Sequence, residues 1–170
     1  FIKEDTIPEK CNIVSVIKSV LEEMTPELNL KKVSITDNLS AKTQWVEGNQ
    51  FQYADAFKYL FNSLINLMSP DSNIQIREKE VFSEEEIEWY EIQITVPGVR
   101  LSTNELFESF HLIDSEKSEF MELELALMHT IFNNYNVKIE SIVQSEAQTL
   151  IRFHFPIQLK NNVMTQKKHG

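Results

Sequence analysis

The chain has 170 residues, 42 % of them hydrophobic, the size and composition of one domain with a real core. Its formal charge is −10, from 26 acidic against 16 basic residues, which speaks against a nucleic-acid partner and an anionic membrane surface. Only three glycines occur, Gly48, Gly98 and Gly170, and neither G-x-G-x-x-G nor G-x-x-x-x-G-K-[ST] is present, which speaks against nucleotide binding by the common phosphate-cradling loops.

Residues 1–11 are polar around Pro8 and read as an extended lead-in. Asn12 is a candidate N-cap, and Ile13, Ile17, Val20 and Met24 then recur at helical spacing until Pro26, which is expected to stop that helix. Val33 and Ile35 alternate with Ser34 and Thr36, predicting a strand near 32–37, and a short strand is expected at Gln44–Glu47, closed by Gly48–Asn49. The strongest helix follows. Ala54, Phe57, Phe61, Leu64 and Met68 form one apolar row and Tyr53, Ala56, Leu60 and Leu67 a second, leaving Lys58, Asn62 and Asn66 as its polar ridge. Ser69–Pro70–Asp71 ends it.

Ile74 and Ile76, then Ile92, Ile94 and Val96, alternate with polar residues on either side of the acidic turn Ser83–Glu86 and predict two antiparallel strands. Pro97–Gly98 breaks the second. Asn104–Phe110 reads as a short helical turn and Phe120–Asn134 as a long helix carrying Leu125, Met128 and Phe132. Val137–Val143 and Thr149–Ile157 predict a closing hairpin, with Ile151, Phe153, Phe155 and Ile157 inward and Arg152 and His154 outward, His154 at the surface. The expected fold is α+β: a two-layer α/β sandwich with a mixed, mostly antiparallel sheet and its helices on one face. One domain is expected over 1–160, with a polar tail over 161–170.

Cys11 is the only cysteine, so an internal disulfide is impossible, and a reducing, cytoplasmic setting is expected. No apolar run reaches ~18 residues and no signal peptide is visible, so no direct membrane contact is expected from this segment. Because the first residue is Phe1 and not Met, the chain is expected to be part of a longer protein. His111, His129, His154 and His169 are scattered, with no H-E-x-x-H, and no metal site is expected from them. The blocks Glu84–Glu86 and Glu116–Glu124 read as solvated faces. Asn62 and Asn66 stand out, because two amides on the ridge of an otherwise buried helix need partners, water or a cleft.

The order of elements and the residues at their joints resemble the ATP-binding domain of sensor histidine kinases, the Bergerat fold shared with DNA gyrase and the MutL proteins. Asn62-Ser-Leu-Ile-Asn66 resembles the family's N box, N-x-x-x-N, whose second Asn binds the Mg²⁺ that bridges the nucleotide phosphates. Trp45-Val-Glu-Gly48 resembles the approach to that helix, with Asn49 where the family has Asp. Phe107-Glu-Ser-Phe110 resembles the F box, Leu125-Ala-Leu-Met the helix after the second glycine box, and Phe153-His-Phe-Pro-Ile157 the last strand. The likeness spans residues 5–158.

The departures from that pattern are also specific. Thr95-Val-Pro-Gly98-Val-Arg replaces the first glycine box, D-x-G-x-G, and lacks the Asp that binds adenine. Phe120-Met-Glu-Leu-Glu-Leu125 replaces the second box and puts Glu122 and Glu124 at its degenerate glycine positions; Ser145-Glu-Ala-Gln-Thr149 replaces the third. A Cβ blocks close backbone approach and a carboxylate repels phosphate. The Lys or Arg a turn after the N box is missing, and Arg100–Phe120 is short for a nucleotide lid.

The resemblance therefore implies a pseudo-ATPase domain of a bacterial two-component or phosphorelay signalling protein, with a non-catalytic, protein-binding role. No catalytic residue and no cofactor are expected; Asn62, Asn66 and Gly98 are vestigial nucleotide and Mg²⁺ positions. The expected partner is a protein: a response regulator, a kinase or an adjoining dimerisation domain, met through Phe107, Phe110 and the Glu116–Glu124 stretch. The alternative is an active sensor histidine kinase domain with an atypical site, using ATP and Mg²⁺.

Overall fold

The computed structural model describes residues 9–40, 43–79, 81–103, 119–145 and 148–159. The first strand, β1 (Lys10–Asn12), leads into α1 (Ile13–Glu23), whose buried stripe is Ile13, Val14, Val16, Ile17 and Val20. Asn12 precedes α1 in extended geometry, but its side chain caps nothing. Its Oδ1 instead accepts the Gln44 N–H at 3.2 Å, tying β1 to the segment before β3 (Trp45–Glu47). Pro26 does not stop a helix. It sits in the first turn of a second one, α2 (Thr25–Lys31), where the missing N–H is harmless and the fixed φ suits the start. Lys32 then turns the chain with φ 57° into β2 (Ser34–Asp37).

Asn49 opens α3 (Gln50–Leu67): its Oδ1 accepts from the N–H groups of Phe51 at 2.9 Å and Gln52 at 3.0 Å. Those are two of the donors a helix start leaves without partners. Gly48 precedes it at φ +141°, where any Cβ would overlap the Tyr53 ring. The chain continues through β4 (Asn73–Glu78), β5 (Phe82–Glu84) and β6 (Ile87–Pro97). The acidic turn is thus the tip of a hairpin, because Glu85 and Glu86, at φ 51° and 65°, let β5 fold back onto β6. The last elements are α4 (Glu119–Asn134), β7 (Lys138–Val143) and β8 (Gln148–Leu159). The short helix expected at 104–110, the residues Phe107 and Phe110, and the 161–170 tail lie outside the described residues.

Six strands form one sheet in the order β2-β4-β6-β8-β7, with β5 beside β6, and β1 pairs with β3 in a separate ribbon. Among the described residues only β2 and β4 run parallel; the other pairings are antiparallel. The mixed, mostly antiparallel sheet with helices packed on one face is the architecture expected from the sequence. Between the layers, Tyr53 and Phe57 of α3 meet Phe132 of α4 and Phe153 and Phe155 of β8, with ring centroids 5.3–6.2 Å apart. All five rings are fully buried. This wedge fixes α4 against α3 and so sets what faces what at the upper ends of both helices.

Candidate functional site

The structure joins two stretches that lie 62 residues apart in the chain: Asn62 Nδ2 donates to Glu124 Oε2 at 2.9 Å. Asn62 is half-buried on the ridge of α3, while Glu124 on α4 is only 5 % exposed. The expectation that Glu116–Glu124 is a solvated face fails at Glu124, because α4 packs on α3 through Leu125, Met128 and Phe132 and carries Glu124 inward beside them. Among the described residues, its second oxygen, Oε1, has no hydrogen-bond partner. Burial pushes the Glu124 carboxyl above the ordinary carboxylate range, and the bond from Asn62 offsets only part of that.

A cavity of about 230 Å³ opens beside this pair. Asn62, Lys58 and Tyr59 line it from α3 and Glu124 from α4. Glu23, Met24 and Glu27, at the junction of α1 and α2, close the other side. Lys58 is already engaged, its Nζ lying 2.7 Å from Glu23 Oε2. Asn66, one turn further along α3, is exposed, as is Gly98 in the turn after β6; Glu122 is half-buried. The structure thus brings Asn62 and Glu124 together and leaves Asn66 and Gly98 apart from them.

The stretch Phe120–Leu125 lies within α4, so beyond the first turn its N–H groups are spent on i−4 carbonyls and cannot cradle phosphate. A buried carboxylate with a free oxygen repels an anion in surroundings that screen poorly. The cavity also falls below the ~300–1,000 Å³ usual for small-molecule sites. Among the described residues, no group of three His, Cys, Asp or Glu could hold a metal ion.

The open face of the sheet carries a second polar cluster. Glu91, on β6, is 6 % exposed and lies 2.7 Å, through Oε1, from the His154 Nε2 on β8. Its other oxygen accepts from Gln93 Nε2 at 2.6 Å. Burial works against the Glu91 charge, yet the bonds from Gln93 and His154 outweigh it and hold the carboxyl below the usual range. His154 is therefore not the simple surface residue its strand position suggested; it is half-buried, with the Phe82 ring 5.1 Å from its own. Strand alternation alone places Glu91 and Gln93 opposite Ile92 and Ile94, but their neighbour on β8 follows only from the register, which pairs Glu91 with His154.

No family model matches the chain, and no curated protein matches it in sequence. Solved structures do match. The catalytic domain of the histidine kinase ThkA aligns over 89 % of this chain and 96 % of its own, at 12 % identity and a TM-score of 0.64. The fold is that of histidine-kinase catalytic domains. The mycobacterial sensor histidine kinase MprB aligns over 88 % of this chain and 97 % of its own, at 14 % identity and a TM-score of 0.65. A third structure holds ThkA in complex with the response regulator TrrA; there the alignment covers 90 % of this chain and 42 % of the other, at 11 % identity and a TM-score of 0.68. On this histidine-kinase-type ATPase fold, the Asn62–Glu124 pair joins α3, which carries Asn62 and Asn66, to α4, which carries Glu122 and Glu124. Among the described residues, no helix is long and apolar enough to cross a membrane.

Proposed function

We propose that this domain is a pseudo-ATPase module of a two-component or phosphorelay signalling protein, acting in the cytoplasm by binding another protein. The reading rests on one observation: Glu124, where the family resemblance calls for glycine, is buried and bonded to Asn62, where the resemblance calls for contact with nucleotide and Mg²⁺. The carboxylate occupies the acceptor position that an anionic ligand would need, and no free cation among the cavity residues offsets it, since Lys58 pairs with Glu23. Support for a protein partner comes from the fold, which ThkA presents in its complex with a response regulator. Residues 1–160 would form the module.

Calorimetric titration with ATP and ADP, with and without Mg²⁺, tests the reading. The expected result is no saturable heat up to millimolar nucleotide, with the chain folded by circular dichroism. Micromolar, Mg²⁺-dependent binding would overturn it and make an active kinase domain the better account.

A further inference from the structure

We infer that the cavity between α1, α3 and α4 receives a basic side chain, lysine or arginine, from the protein partner; this rests on the pseudo-ATPase reading. Three acidic residues, Glu23, Glu27 and Glu124, line a space of about 230 Å³, and the one cation among its described lining residues, Lys58, is spent on Glu23. Acidic residues gathered at a surface would say little. Here one of them is 95 % removed from solvent and keeps an oxygen, Oε1, without a donor. A buried carboxylate oxygen is costly to leave unpaired, and a protonated amine or guanidinium is the group that satisfies it best.

The walls suit the stem of such a side chain. Met24 and the Tyr59 ring line the cavity beside the carboxylates, offering apolar surface to methylenes while the charged head reaches Glu124. Asn62 holds Glu124 Oε2 in place at the cavity wall, so the carboxyl is already ordered and little order is lost on binding. The charge of the chain, −10, favours approach of a basic partner surface in the same sense.

The test titrates the intact chain with N-acetyl-arginine amide and N-acetyl-lysine amide, with neutral N-acetyl-glutamine amide as the blank, following amide shifts by NMR. Saturable binding of the cationic probes, centred on α3 and α4, is expected, with no response to the neutral one. Glu124→Gln should weaken it about tenfold. Glu27→Gln, at an exposed position, should weaken it less and guards against a folding artefact. Glu140→Gln makes the same charge change on the far side of the sheet and should leave binding intact. Equal losses in Glu124→Gln and Glu140→Gln would overturn the inference, as would absence of saturation or displacement of the probes by Mg²⁺ alone. Such a failure with nucleotide binding still absent leaves the pseudo-ATPase reading standing; nucleotide binding would remove that reading by itself.

Discussion

Replacing Glu124 by Gln should make the protein more stable, and the size of the gain follows from the site. Glutamine keeps the shape of the side chain and one partner in Asn62, so the change removes a charge and little else. The parent side chain is 5 % exposed and leaves Oε1 without a donor, a deficit worth about 1–3 kcal/mol. Allowing for imperfect pairing of the new amide, the gain should be about 1–2 kcal/mol, or roughly 2–8 °C in Tm for a domain of this length. The pH dependence has a definite sign. Because burial raises the folded pKa of Glu124 above the ordinary value of 4.5, the fold holds that proton more tightly than the unfolded chain does. Stability is therefore lost in the parent as pH rises from the ordinary value through the folded one, and glutamine escapes that loss. Differential scanning calorimetry of both proteins between pH 4 and pH 8 should show melting temperatures that nearly coincide at the acid end and separate above it. A lower Tm for Glu124→Gln at pH 7.5, or a gap independent of pH, would refute the reasoning.

Gly48→Ala should cost about 2–4 kcal/mol in urea unfolding, since φ +141° is hostile to a Cβ that would also strike the Tyr53 ring. The Cys11 thiol is buried, and burial with nearby Glu9 pushes it up to about 11, so iodoacetamide at pH 8 should label it only after unfolding. His154→Ala should cost about 1–2 kcal/mol near neutral pH by leaving one oxygen of buried Glu91 unpaired. Because the Glu91 carboxyl is held below the usual range, its contribution is present above the ordinary carboxylate pKa and fades as pH falls through the lower folded value. Parent and His154→Ala denaturation midpoints should therefore converge in strong acid.

Most of the fold was legible because its signals are local and repeated. The two apolar rows of α3, the alternation in β4, β6 and β8, and the stripe of α4 each name an element and its inward face. Two departures from the expected elements share a cause: a strong local mark in the sequence carries more than one meaning. Pro26 marks a helix boundary, but proline suits a start as well as it forbids an interior, and here it opens α2. The acidic turn marks a reversal, and β5 beside it is only three residues long with one half-buried position. The site was legible as two separate oddities, an Asn pair and glutamates where a glycine box is expected. Their contact was not, since it depends on how the wedge of Phe57, Phe132 and Phe153 sets α4 against α3. Glu23 and Glu27 were invisible as site residues for a related reason: they reach the cavity only because α1 and α2 meet at Met24.

Stability and binding at Glu124 are linked, and the linkage gives a test that a mere leftover of a nucleotide site would fail. A cation that pairs with Oε1 stabilises the charged carboxylate, so it must bind more weakly wherever Glu124 is protonated. The other groups around the cavity are Lys58 and Tyr59 from α3 and Glu23 and Glu27 from the α1–α2 junction. Glu23 and Glu27 lie at exposed positions, whereas Glu124 is buried and that burial raises its carboxyl above the ordinary range. Binding of N-acetyl-arginine amide should thus tighten as pH rises through a transition above the ordinary carboxylate value, and binding at pH below that transition should release protons. In Glu124→Gln that transition should vanish while any residual binding follows only the exposed carboxylates. The same substitution is expected to raise Tm and to remove this step. A variant that gained stability yet kept the step would place the titrating group elsewhere and detach the cavity from Glu124.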